Sequence, residues 1–359
     1  MKVSHYLEFE ERITGGIRES VRHQRKMLNS RSIEYTTAPT LDADVFHCNL
    51  LGPRSVWYAR RARRKDVPVV VHSHVTAEDF GDSFRFTNAL SAPLRPYLSW
   101  AYSLADRIVC PSPYNQRLIQ EYTDQPTTVI SNGVDREKFR ECESLRDAYR
   151  NRYDLDGLVV FLVGHVFKRK GLETFVELAR RLPEITFVWF GPLELSFKGR
   201  ETTRLIENSP ENCRFTGYVD DIRGAYSAGD VFCFPTHEEN EGIALLEAMA
   251  AGKPVVVRDI ESFDWLEDGR DCLKVSDGVE GFETALRKLE QPRRRRTLGA
   301  RAAERSAEFS LESLAERYES LYSELLDKKD NELLSESGSE RLCENDSGVL
   351  NENDSEVPK

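Results

Sequence analysis

The chain reads as an α/β protein with two Rossmann-like, doubly wound domains facing a cleft. Three observations predict this. Short apolar runs alternate with helical stretches from end to end, the pattern of parallel sheets built from βαβ units. The length of 359 residues suffices for two ordinary domains with a core each. A polar helix and turn at 143–157 splits the alternation into two halves.

The first half offers strands at Val3–Phe9, Val45–Cys48, Val67–His72, Arg107–Cys110 and Thr127–Ile130, with a helix over Ile17–Asn29. The second offers strands at Val159–Val163, Thr186–Phe190, Asp230–Phe234 and Val255–Arg258, with helices over Leu172–Leu182, Asp221–Ala228 and Ile243–Ala251. Residues 293–326 read as two more helices, the second opened by Ser310 as N-cap. The division expected is 1–150, 151–305, a C-terminal helix at 306–326 and a tail at 327–359. The tail is acidic, rich in Ser and Asn and poor in aromatics, so disorder is expected there.

The net charge of −11 argues against nucleic acid as a partner. The charge is uneven: residues 1–150 carry +3 and the tail −6. Seven cysteines stand singly, several inside apolar runs, as reduced core residues of a cytoplasmic protein do. The opening MKVSHYLEFE alternates like a strand and lacks a signal-peptide core. No apolar run approaches bilayer-spanning length. Contact with a membrane is therefore expected to be peripheral, on the inner face.

The most informative stretch is HEENEGIALLEAMAAGKPVVV, His237 to Val257. Glu239 and Glu247 bracket a helix start opened by Gly242 and Ile243. Uncovered N–H groups at such a start favour an anion, and the two carboxylates can bond hydroxyls. Together these suit a nucleotide-sugar, although a helix-face charge and a loop acid would look the same. Lys170 and Arg169, in Gly164-His165-Val166-Phe167-Lys168-Arg169-Lys170-Gly171, follow a buried strand. Cations at that corner would stabilise a departing diphosphate; a solvated basic turn is the plain alternative. Thr14-Gly15-Gly16-Ile17 offers close backbone approach at the first helix; a tight turn is its plain reading. His74 ends a strand at the cleft edge. His72, two residues earlier, makes a metal pair conceivable, but no third ligand is evident. Asp42-Ala43-Asp44 reads as a turn and Asp220-Asp221 as a helix N-cap. No divalent metal and no cofactor beyond the nucleotide-sugar substrate are expected. Arg60 to Lys65 and Arg293 to Arg296 are basic clusters that suit either a wet helix end or anionic lipid headgroups.

In their order along residues 1–326 these motifs resemble the family 4 retaining glycosyltransferases, and the resemblance implies the two-domain GT-B fold. They are the Gly15-Gly16 loop, the His74 strand end, Asn132-Gly133-Val134-Asp135, Gly164 to Gly171, and Glu239 to Glu247. Further stretches resemble the diacylglycerol glucosyltransferases of glycolipid synthesis. These include Ala77-Glu78-Asp79-Phe80, Phe187-Val188-Trp189-Phe190-Gly191, Phe215 to Tyr226 and Glu238 to Ile243. The resemblance implies UDP-glucose as donor and a membrane glycerolipid hydroxyl as acceptor. It implies that Glu239 binds the donor sugar, Glu247 the ribose, Lys170 the diphosphate and His74 the transferred sugar. It implies that Gly16 approaches the phosphate or the acceptor. One position departs from the pattern: His165 stands where many members place an arginine, so Arg169 is expected to take over or diphosphate binding to weaken. A polyprenyl-linked or surface glycan is the alternative acceptor. A catalytically silent scaffold is the alternative of another class.

Overall fold

The computed structural model describes residues 1–76, 87–140, 142–193 and 200–345; side chains at 87–93, 200 and 332–345 lie outside that description. The first domain is a six-stranded parallel sheet in the order β2-β1-β3-β4-β5-β6. Its strands are β1 Lys2–Tyr6, β2 Glu34–Thr36, β3 Val45–Cys48, β4 Val69–His72, β5 Arg107–Cys110 and β6 Thr127–Val129. The second domain repeats the plan as β12-β11-β10-β7-β8-β9. Its strands are β7 Val159–Val163, β8 Thr186–Phe190, β9 Cys213–Phe215, β10 Val231–Phe234, β11 Val255–Arg258 and β12 Leu273–Val275. The central strands are buried along their whole length, which is why they read as unbroken apolar runs rather than alternating ones.

Each sheet has a switch point, where successive connections leave in opposite directions. In the second domain it falls between β7 and β10, in the first between β1 and β3. Crevices at such points receive ligands at the strand C-termini. The loop after β1 leads through Gly15 into helix α1, Gly16–Ser30. The loop after β7 leads through Gly171 into α2, Leu172–Arg181. The loop after β10 leads through Gly242 into α3, Ile243–Ala250. All three loops therefore converge on one cleft.

The second-domain core is one continuous cluster around Phe161, Phe175, Trp189, Tyr226 and Phe232. The final helix α4, Leu311–Asn345, returns to the first domain. Leu311, Leu314, Tyr318, Tyr322 and Leu325 pack against Val3, Leu28, Val45 and Val109. The chain crosses over where Val134 donates its N–H to Phe309 at 2.8 Å. Ser310 accepts from the Ser313 N–H at 3.2 Å, the expected N-cap. The C-terminal helix expected at 306–326 covers a face of the first-domain core. Residues 327–345 continue the same helix, where disorder was expected; residues 346–359 lie outside the described residues. Strand β1 stops at Tyr6, short of the expected Phe9, because Phe9 adopts a left-handed backbone with φ of 61°. The six cysteines with described side chains are free and buried.

Candidate active site

The cleft between the domains holds a cavity of about 490 Å³. Gly16 and His74 line it from the first domain; Gly164, His165, Lys170, Glu239, Gly242, Ile243 and Glu247 line it from the second. Of the expected site residues, only Arg169 is not in the lining. Lys168–Lys170 forms one tight turn, in which neighbouring side chains point about 120° apart. Lys170 therefore faces the cleft while Arg169 turns behind the loop after β10. There its guanidinium donates to the Glu238 carbonyl at 2.5 Å and lies 3.8 Å from Glu239. In this arrangement Arg169 braces the loop that carries Glu239.

Glu239 is held from two sides. Lys170 Nζ donates to Oε1 at 2.5 Å and Thr236 Oγ1 to the same oxygen at 3.2 Å. The pair is largely shielded from solvent, with side-chain exposures of 16% for Lys170 and 9% for Glu239. An ammonium has three protons, so one bond to Glu239 leaves two for a ligand. Gly171 makes the turn possible: its φ is +79°, and a Cβ there would sit 2.3 Å from the Pro235 carbonyl.

Glu247 lies one turn into α3 and is buried, accepting from the Tyr226 hydroxyl at 2.6 Å. Burial raises its carboxyl above the ordinary range. Gly242, at φ 87° and ψ 69°, caps α3 without a side-chain acceptor, which leaves the helix N–H groups open to the cleft. Gly164 begins the turn after β7 with φ of +136°. Its carbonyl accepts from Trp189 Nε1 at 2.9 Å.

His165 reaches across the cleft. Its Nε2 lies 3.2 Å from Thr14 Oγ1 in the glycine loop. A Cβ on Gly15 would approach its ring to 3.1 Å. The ring stacks on Phe167 at a centroid distance of 5.5 Å.

On the first-domain side, His74 stacks on His72 with ring centroids 4.1 Å apart and bonds Asn49 at 3.4 Å. Burial, followed by the charge of His5, pushes the His74 imidazole down to about 3. It is therefore neutral and can donate to or accept from a hydroxyl. His72 is buried and engaged by Gln24 and Tyr318. Stacked rings hold their nitrogens side by side rather than converging on one point, so the pair does not present a metal site. Among the described residues no group of three His, Cys, Asp or Glu is placed to hold a metal. Residues 41–44 form a bend, and Asp44 reaches from it to accept from the Lys2 N–H at 2.7 Å; Asp221 caps its helix, accepting from the Arg223 N–H at 3.1 Å. In the second basic cluster, Arg295 closes the preceding helix by bonding the carbonyls of Leu289 and Glu290.

Sequence reasoning missed Tyr226, Glu241 and the first-domain residues that hold the loop after β10. Ser112 donates to the Asn240 carbonyl, Asn115 to the Asn240 side chain at 2.8 Å and Tyr114 to Glu238. Ala77 to Phe80, with Phe84 and Phe86, lies outside the described residues.

Two parallel six-stranded domains, with a carboxylate pair, a lysine and an open helix start in the cleft between them, define a transferase of the GT-B class. Solved structures bear out the fold. The chain superposes on the HepE protein of Anabaena in complex with UDP-glucose with a TM-score of 0.72 at 17% identity, covering 90% of this chain and 100% of that one. It superposes on sucrose-phosphate synthase of Thermosynechococcus elongatus with a TM-score of 0.74 at 19% identity, covering 91% and 100%.

The family follows from sequence. The model described as Glycosyltransferase Family 4 matches residues 14–138, and that described as Glycosyl transferases group 1 matches residues 157–291. The processive diacylglycerol alpha-glucosyltransferase of Acholeplasma laidlawii is 36% identical over 79% of this chain and 86% of its own length. The alpha-galactosylglucosyldiacylglycerol synthase of Streptococcus pneumoniae is 26% identical over 86% and 85%. The chain belongs to the family 4 glycosyltransferases.

Proposed function

We propose that this protein is a retaining, metal-independent transferase that moves glucose from UDP-glucose to a glycerolipid hydroxyl at a membrane surface. The observation that carries this reading is the 36% identity to a diacylglycerol glucosyltransferase across most of both chains, with Lys170 and Glu239 already paired in the cleft.

On this reading the uridine ribose bonds Glu247, and the diphosphate lies against the open start of α3 and the two remaining Lys170 protons. Charge that grows on the leaving phosphate is met by fixed donors in a partly dry site, where such contacts are strongest. Glu239 accepts from the sugar hydroxyls and stabilises the positive charge that develops on the ring. Neutral His74 contacts the transferred sugar. His165 bridges to the glycine loop where an arginine would supply a fixed cation, so Lys170 carries more of the phosphate charge. The leaving phosphate itself takes the acceptor proton, and no residue is needed as nucleophile.

The acceptor reaches the site from a bilayer. Among the described residues no helix is long and apolar enough to cross a membrane. The first domain instead exposes Trp57 and Trp100, at 50% and 45%. Arg61 lies 4.7 Å from the Trp57 ring centroid and Arg60 lies 6.0 Å from that of Trp100. Aromatic rings beside arginines suit the headgroup level of an anionic leaflet, on the inner face of the cell membrane. The alternative acceptor, a polyprenyl-linked glycan, is favoured by one relative. The UDP-Gal:alpha-D-GlcNAc-diphosphoundecaprenol galactosyltransferase of Escherichia coli is 28% identical over 64% of this chain.

The test is transfer from UDP-glucose in excess EDTA, with diacylglycerol micelles and polyprenyl-diphosphate glycans offered separately. Glucosyldiacylglycerol is the expected product. Product on the glycan alone would move the acceptor, and an absolute need for a divalent cation would overturn metal independence.

A further inference from the structure

Glu241 is the one residue of the loop after β10 whose side-chain carboxylate is sunk into the other domain. It is 3% exposed. Its Oε2 accepts from the Asn132 backbone N–H at 2.9 Å and from Asn132 Nδ2 at 2.7 Å. Both bonds end on the same oxygen, and Ser131 is a further hydrogen-bond partner of the carboxyl. Asn132 is itself fixed to α1, where its Oδ1 accepts from Ser20 at 2.6 Å and its carbonyl meets His23 Nδ1 at 3.1 Å. Two residues before Glu241 stands Glu239, paired with Lys170; next to it stands Gly242, which starts α3.

We propose that Glu241 is a positioning residue: it latches the loop bearing Glu239 onto Asn132 of the first domain, so that closing the cleft and placing Glu239 are one event. The inference rests on the transferase reading above. Glu241 and Asn132 both border the cavity, and the bonds of the Glu241 carboxylate go to the first domain. It acts through the loop. Displacements on the order of 1 Å in such a support can cost about 100-fold in rate.

The latch has a proton dependence of definite sign. Burial, only partly offset by the bonds from Ser131 and Asn132, pushes the Glu241 carboxyl up to about 7. Opening the cleft returns it to water and to an ordinary carboxylate value. The closed form therefore holds the proton more tightly than the open form, and protonation favours closure. Closure weakens as pH rises from the ordinary carboxylate range toward about 7 and changes little above it. The ionisable groups acting on Glu241 are His23 of α1, itself paired with Glu19, and Tyr318 of α4. His72 of β4 faces it through Asn132.

Glu241→Gln keeps an oxygen for Asn132 and is permanently neutral. Glu241→Ala removes the latch. The experiment is small-angle scattering of the full chain between pH 5.5 and 8.5, paired with kcat and the donor KM over the same range. Wild type should expand as pH rises from 5.5 toward about 7, with kcat falling in step, and change little above that. Glu241→Gln should stay compact throughout and show no such step. Glu241→Ala should be expanded at every pH, with kcat lower by about 10- to 100-fold and donor KM changed less than about threefold. A neutral-pH step that survives in Glu241→Gln overturns the latch. So does wild-type kcat in Glu241→Ala, or equal losses in kcat and donor affinity that track its melting temperature. Absence of any transfer by wild type sinks the transferase reading, and the latch with it.

Discussion

The two walls of the cleft differ in charge. The second-domain wall presents the Lys170–Glu239 ion pair and the open start of α3. The first-domain wall presents a glycine loop and His74, backed by His72, His47 and His5, with its own charges, Arg18, Glu19, Arg22 and Lys138, bordering the cavity beyond the glycine loop. Burial holds all four of these imidazoles below their ordinary value. Fixed charge thus stands where a diphosphate would depart and an oxocarbenium-like ring would form. Neutral imidazoles stand around His74, where an uncharged hydroxyl would bind. A charge at the His74 position would bring no matching gain in the transition state, because only contacts that strengthen there raise the rate.

The sharpest way to break this comparison is to remove charge from the donor wall. Glu239→Ala and Lys170→Ala should each lower kcat by about 100- to 10,000-fold in steady-state transfer assays. Near-normal turnover in both would show that the pair is structural. Glu247→Ala should have a smaller and different effect, raising donor KM about tenfold with a lesser loss of kcat, because ribose contacts are equal in ground and transition states. A pure kcat loss would remove Glu247 from that role.

The acceptor wall should show itself in acid. His5 is pushed down to about 4 and His74 to about 3, with His47 and His72 also well below 6.5. The folded protein therefore resists protons that the unfolded chain takes up. The stability contributed by neutral imidazoles is complete above about pH 6.5 and is lost as pH falls toward the folded values, by up to about 1.4 kcal/mol per pH unit for each group. Glu241 and Glu247, whose carboxyls are raised, oppose this, but two carboxyls face four histidines. The urea midpoint should drop between pH 7.5 and 5.5; an unchanged or higher midpoint would contradict the neutral wall. The smallest effect belongs to the C-terminus. None of the described side chains at 327–331 is buried, so deleting 327–359 should shift the melting temperature by less than about 2 °C. A larger drop by calorimetry would show that the tail packs.

The two walls were also unequally legible. Val159–Val163 and Asp230–Phe234 announce buried strands through β-branched and aromatic runs, and the glycines after them mark the turns that position Lys170 and Glu239. The edge strands β2 and β12 are three residues long and only partly buried, too short to show a period. Neighbouring cations at 169 and 170 look alike in sequence; only the turn decides which one faces the ligand. The return of α4 to the first domain was hidden because its apolar stripe does not say which core it covers. Glu241 was hidden for a similar reason: its partner Asn132 lies 109 positions away. A polar residue wedged between a buried strand and an apolar helix was the only local hint.

The central claim is that this cleft moves glucose to a glycerolipid with its configuration kept. The most direct measurement is NMR of the lipid product made by the purified protein from UDP-glucose, which is α-linked, and diacylglycerol. The account predicts a single α-glucoside on the glycerol hydroxyl, absent from the Glu239→Ala reaction. A β-glucoside, or free glucose with the lipid unchanged, would contradict it.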